Sequence, residues 1–338
     1  MKDLPLALFW PGFCVHLMTS RSRYLLGKVG VAAFGIFATL TLNFFLFRVL
    51  PGDAISSMAR VPGGSVELKE ALMRQFGLDK PLWGQYLDYL AQLAQGNLGV
   101  SYSSLRPVTD EVLRALGNTV PMTLLGILIA ILVGVTSGII AAWKHDTTID
   151  NAISNITTVV YSAPTQWIAI MLVLAFASYL PVSGASDPFA FANDFWSILA
   201  DRVKHMILPS LTLALATFGQ YTLVTRSAVL ATLGEDYVSA AKAQGYPVGR
   251  ILAFQALPNA LVPIVTLIAL SAGTVIGGSV VVETAFSWPG IGRAMYDAIV
   301  QRDYPMLQGA LLVVTIVVIL VNLLADLVNM KLDPRIVE

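Results

Sequence analysis

Cysteine is almost absent from this 338-residue chain, and Cys14 alone cannot close an internal disulfide. Histidine is scarce too: His16, His145 and His205 lie too far apart to give metal-ligand spacing. Lys plus Arg equals Asp plus Glu at 21 each, so no excess of one charge points to nucleic acid or another polyion as partner. A G-x-x-x-x-G-K-[ST] phosphate loop is missing; the nearest stretch, Leu26-Gly27-Lys28-Val29, lacks the spaced glycine and the hydroxyl. Disulfide chemistry, a resident metal and ATP binding by this chain therefore drop out of the readings to be weighed. Charge itself is sparse, at 12% against about 25% in a soluble domain, and 56% of residues are apolar, which is the composition of a membrane-embedded protein.

A bilayer core of about 30 Å needs about 20 apolar residues of helix. Six stretches meet that demand, near 29–47, 119–143, 153–180, 206–225, 258–282 and 306–330, so an all-α membrane protein of six transmembrane helices is predicted. Pro164, Pro209, Pro263 and the Gly277-Gly278 pair fall inside these stretches and need neighbouring helices to satisfy freed backbone groups. Residues 1–23 read as an extension that Phe9, Trp10 and Phe13 could anchor at headgroup level; Pro5, Pro11 and the want of a small-residue cleavage site argue against a signal peptide. Residues 24–338 form one membrane domain, with no polar linker long enough to separate another.

Orientation follows from Lys and Arg once the long loop 48–118 is set aside, because loops beyond about 60 residues escape the positive-inside rule. With the N-terminus inside, the remaining count is ten inside against four outside, so both termini are expected in the cytoplasm. The outer side then receives loops 48–118, 181–205 and 283–305. The inner side receives the WKHDTTID turn and the polar stretch DYVSAAKAQGYPVGRILAFQALPNAL, residues 236–261.

That stretch carries helix punctuation. Thr232 and Glu235 have capping-box spacing, predicting a helix from about Leu233 to Gln244. Gly245 suits a left-handed helix stop and Pro247 prevents continuation. A second short helix, Val248 to Ala256, is predicted to end at Leu257-Pro258. Tyr237, Ala241 and Gly245 recur every four residues, so a small-residue face beside an aromatic is expected to admit a close-packed partner. A basic amphipathic segment on headgroups is the competing reading, and the modest Lys and Arg content speaks against it.

The order Ser239-Ala240-Ala241, three residues, Gly245, nine residues, Gln255-Ala256-Leu257-Pro258 resembles the EAA loop of permease subunits from binding-protein-dependent ABC importers. Ser239 stands where that family prefers Glu, and Gln255 where it prefers an apolar residue. RVLPGDA (48–54), GLDKPLWGQYLDYL (77–90), GNLGVSY (96–102), LPVSG (180–184), HMILPSLTL (205–213), ETAFSWPGIGR (283–293), RDYP (302–305) and DPR (333–335) extend the resemblance from about residue 24 to the end. They narrow it to the B-type subunit of the dipeptide and oligopeptide permease group. The resemblance implies the type I ABC importer permease fold, and an EAA loop that docks as a coupling helix on a cytoplasmic ATPase. It also implies a homologous C-type permease subunit, two ATP-binding subunits that hold ATP and Mg, and an extracellular or periplasmic substrate-binding protein. Peptides are the implied substrate; nickel chelates, glutathione and oligosaccharides are alternatives within the group.

Two further sets of residues are candidates for the pathway. Glu283, Trp288, Pro289 and Gly290 read as a tight turn at an outer gate, because Pro and Gly permit abrupt reversal; a capped loop before a surface helix is the plainer alternative. Polar residues inside spans, Asn43, Gln166, Gln220, Asn322 and Asp326, are candidate pathway positions, Asp326 being the ionisable one. A secondary transporter would show an internal inverted repeat, and an intramembrane enzyme paired carboxylates or a central histidine. The spans carry neither signature.

Overall fold

The computed structural model describes residues 20–49, 80–187 and 194–332, and among them the chain is built of helices with no strand. Most of the 1–23 extension, the RVLPGDA stretch and the DPR stretch lie outside the described residues. The helices are α1 (Ser20–Val49), α2 (Leu82–Ala94), α3 (Val108–Trp143), α4 (Thr148–Ser162), α5 (Thr165–Phe176), α6 (Phe195–Leu233), α7 (Asp236–Ala243), α8 (Val248–Ile251), α9 (Leu257–Gly278), α10 (Val280–Ala285), α11 (Ile291–Gln301) and α12 (Tyr304–Leu332). Five are long and apolar enough to cross a membrane, and α4 with α5 makes a sixth if that bent pair is counted as one span.

Three of the expected spans differ from what forms. The 153–180 stretch is not one helix: α4 and α5 meet at 103°. Pro164 is the cause, since its ring drives the preceding residue out of the helical region, and Ala163 lies at φ −74°, ψ 136°. The spans placed at 119–143 and 206–225 are the inner parts of helices that start at Val108 and Phe195. At 1.5 Å per residue α3 is about 54 Å long, well beyond a bilayer core. Hydropathy marks only the buried-in-lipid part, whereas local signals start the helix: Pro107 precedes α3 with Asp110 and Glu111 in its first turn, and Asp194 caps α6 by accepting from Ser197 N.

α3 and α6 form the centre. Gly126, Ala130, Gly134 and Gly138 repeat every four residues on one stripe of α3, and a Cβ at Gly134 would lie 2.6 Å from Phe218 O and Tyr221 Cβ. Backbones that close need the small residue, the packing logic of membrane helices, where apolar burial gives no drive. Tyr221 OH and Ser271 Oγ, 2.6 Å apart and buried, join α6 to α9. α1 leans on α12, where Asn43 Nδ2 donates to Gln308 O at 2.9 Å. Elsewhere α1 shows Val31, Phe34 and Leu42 outward, as a lipid-facing helix should.

The bundle thus has two distinct ends. One carries the 144–147 turn and the 234–247 segment. The other carries 96–107, 181–187 and 286–303, where Asp303 accepts from Ser101 Oγ (2.5 Å) and Ser103 Oγ (2.8 Å) and caps α12 through Met306 N.

Candidate functional site

At the first end, α6 runs on to Leu233, so Thr232 is still helical and its hydroxyl donates to Ala228 O at 2.9 Å. The predicted capping box with Glu235 is therefore not formed: a hydroxyl bonded back to the i−4 carbonyl cannot cap the next helix. Glu235 precedes α7 in extended conformation without a side-chain cap bond, and Asp236 and Lys242 sit at the helix ends their charges favour. Gly245 ends α7 as expected. Its φ is 80°, its N–H donates to Lys242 O (3.0 Å), and Tyr246 N–H reaches Ala241 O (3.2 Å), the paired bonds of a Schellman stop.

Burial corrects the expected docking face. Ala241 is buried with Val238 and Ile251, with Leu233 packed against them, so it faces the protein's own small core. Residues 238 and 241 share a helix face, and the apolar Val238 decides which way the helix rolls. The outward surface carries Tyr237, Ser239, Ala240, Gly245, Tyr246, Val248, Arg250 and Phe254, the last 76% exposed. Arg250 stacks on the Tyr246 ring at 5.0 Å, and both line an open groove with Phe254 and Gln255.

Leu257-Pro258 does not end the second short helix. From Val248 the chain passes through a π turn, Leu252–Ala256, straight into α9. In a regular helix the Pro258 ring would strike the carbonyl four residues back; the wider turn offers it room. Pro258 is exposed, while Leu257 packs beside Ala142, Val229, Leu252, Ala256 and Ala260 and roots the loop in the bundle. Asn259 Nδ2 donates to Tyr237 OH at 2.8 Å and ties α7 to the start of α9.

An ion pair that sequence reading missed stands just above this loop. Arg226 of α6 grips Asp150 of α4 with Nε to Oδ1 and Nη2 to Oδ2, each 2.7 Å. The WKHDTTID turn displays its charges in the sequence, but the partner lies 76 positions away and no local spacing reveals it.

At the opposite end, Glu283, Trp288, Pro289 and Gly290 come together in a tight turn. Glu283 is fully buried; Oε1 accepts from Thr119 Oγ1 (2.7 Å) and Ser279 Oγ (2.9 Å), and Oε2 from Arg293 N (2.9 Å). Trp288 is buried as well and donates from Nε1 to Asn118 O at 3.1 Å, while Asn118 Nδ2 donates to the carbonyl of exposed Pro289 at 2.8 Å. A Cβ on Gly290 would lie 2.5 Å from Glu283 and Thr119, so only glycine lets the turn close on the carboxylate.

The pathway candidates remain dispersed. Gln166 is exposed on α5, just past the bend, and Gln220 is half-buried on α6. Asp326 pairs with Lys28 of α1 at 2.9 Å, which gives the ionisable residue a structural partner. Asn43 is buried and spent on Gln308, and Asn322 is exposed on α12.

Residues 134–338 match the family model described as binding-protein-dependent transport system inner membrane component. The chain is 35% identical over 333 residues to the dipeptide transport system permease protein DppB of Escherichia coli K12, covering 93% of this chain and 98% of that one. It is 36% identical over 325 residues to the di/tripeptide transport system permease protein DppB of Pseudomonas aeruginosa UCBPP-PA14, covering 91% and 97%. A solved structure of the MetNI methionine ABC transporter in an inward-facing conformation shares the fold, with a TM-score of 0.52 at 16% identity over 66% of this chain and 96% of that one.

Proposed function

The chain belongs to the binding-protein-dependent transport system inner membrane components, and we propose that it is the B-type permease subunit of an ATP-driven importer of dipeptides or oligopeptides. It is a multi-pass inner membrane protein and a transport subunit, not an enzyme; its relatives are named as permease proteins. One observation carries the coupling role. The Schellman-stopped helix α7 presents Ser239, Ala240 and Gly245 outward from the mouth of the bundle, on a chain that carries no phosphate loop of its own.

In this reading two ATP-binding subunits hold ATP and Mg and receive residues 232–258, including Leu257 and Pro258 at the root of the loop. ATP can shift the permease only if the closed ATPase pair fits one arrangement of the coupling helices better than the other. A homologous C-type subunit supplies the other half of the pathway, with Gln166, Gln220 and Asp326 as positions along it. A substrate-binding protein meets the end that carries Glu283, Trp288, Pro289 and Gly290, and both termini lie in the cytoplasm. The peptide assignment draws on identity to dipeptide permeases over nearly the whole chain.

The test is uptake of labelled dipeptides and longer peptides in a strain lacking this gene, with and without the gene restored. Restored peptide uptake is the expected result. Restored uptake of a nickel chelate, glutathione or an oligosaccharide with none of peptide would move the substrate and leave the importer class.

A further inference from the structure

The Asp150–Arg226 pair has no part in the reading above, yet its geometry is that of a built joint. Asp150 is 2% exposed, and both its oxygens are engaged by the two arms of one guanidinium. His145 Nδ1 and Asp146 N–H also lie 3.2 Å from Oδ2. A fork on a carboxylate fixes rotation as well as distance, which a single contact between helices cannot do.

A second contact holds the far end of the same helix. Tyr161 packs on Gly219 of α6 so closely that a Cβ there would lie 2.5 Å from Tyr161 Cβ. α4 is therefore pinned to α6 near both of its ends, and beyond Tyr161 comes the 103° corner at Pro164. Three residues past Arg226, Val229 joins the cluster that roots the π turn beneath α7. α7 is joined to α6 through Gly234 and Glu235 and through Leu233, which packs against its Val238 and Ala241. Without a rigid seat, a push on α7 would fray the last turn of α6 and go no further.

We infer that Asp150 and Arg226 are positioning residues that lock α4 to α6, so that displacement of the coupling loop moves both helices as one lever and reaches the Pro164 corner. The inference rests on the importer reading for the source of the push. Its test uses the full assembly with its ATP-binding subunits. Nitroxide labels at Ile156→Cys and Lys242→Cys, in a Cys14→Ser background, report the α4-to-α7 distance with and without a non-hydrolysable ATP analogue. Uptake of labelled dialanine per ATP hydrolysed is measured in parallel.

The wild type should hold one narrow distance in both states. Asp150→Asn should broaden it and lower uptake per ATP about tenfold, inside the roughly 5–150-fold span of ordinary coupling between sites. Arg226→Lys, which keeps the charge and loses the fork, should fall between. An unchanged distance distribution in Asp150→Asn overturns the inference whatever substrate is carried. If Asp150→Asn fails to assemble, Arg226→Lys decides, and wild-type values of both readouts overturn it. A wild-type assembly that carries no dialanine, with the distance broadened in Asp150→Asn, overturns the peptide assignment and sustains the joint.

Discussion

Gly245 and Gly290 both lie within two positions of a proline at a sharp turn, yet a Cβ on Gly245 would meet nothing within 4 Å and one on Gly290 would sit 2.5 Å from Glu283 and Thr119. The first glycine serves its own backbone, at φ 80°, and leaves the surface around it open. The second serves its neighbours, making room for a carboxylate that ties α10 to Thr119, three turns into α3, and to the start of α11. Turns of similar composition thus do opposite work. At one end of the bundle the turn leaves open space around its glycine, and at the other it closes on itself through hydrogen bonds among buried groups.

That contrast breaks most sharply at Gly290. Gly290→Ala should cost about 1–3 kcal/mol by overpacking, read as a lowered melting temperature in detergent; an unchanged melting temperature would mean the turn is not closed. Glu283→Gln keeps the volume but turns a donor toward either Thr119 and Ser279 or Arg293 N–H. A loss of about 1–3 kcal/mol for the orphaned buried group is expected, measured in the same way. Gly245→Asp inverts the pattern: the left-handed backbone costs about 1 kcal/mol, while peptide uptake is lost through the blocked docking surface. Wild-type uptake in that variant would remove α7 as the coupling element. The smallest effect belongs to Asp326→Asn, about 0–1 kcal/mol, because its pair with Lys28 is only partly buried and lies within one turn of the end of each span; a marked loss of uptake with normal stability would restore Asp326 as a pathway residue.

What the sequence disclosed follows the range of the interaction responsible. The Gly245 stop was legible because a Schellman motif is made within six residues. Pro164 carried a local warning too, but the mainly apolar residues on both sides of it favoured one span, and hydropathy does not register a corner. Thr232 misled for the opposite reason: a capping spacing is also compatible with a helix that has not yet ended. Asp150 with Arg226, and Glu283 with Thr119, join residues 76 and 164 positions apart, and no spacing rule reaches them. The roll of α7 was equally hidden, since it depends on Ile251 arriving from the next helix.

Asn43 gives the fold a timetable. Its amide donates to Gln308 O, a group made 265 residues later. At about 5–20 residues per second, roughly 13 to 50 s of synthesis separate the two. During that interval α1 is already made and its buried amide lacks the partner it will keep. Among the described helices α1 is made before all the others, yet it gains this contact only once α12 has been made.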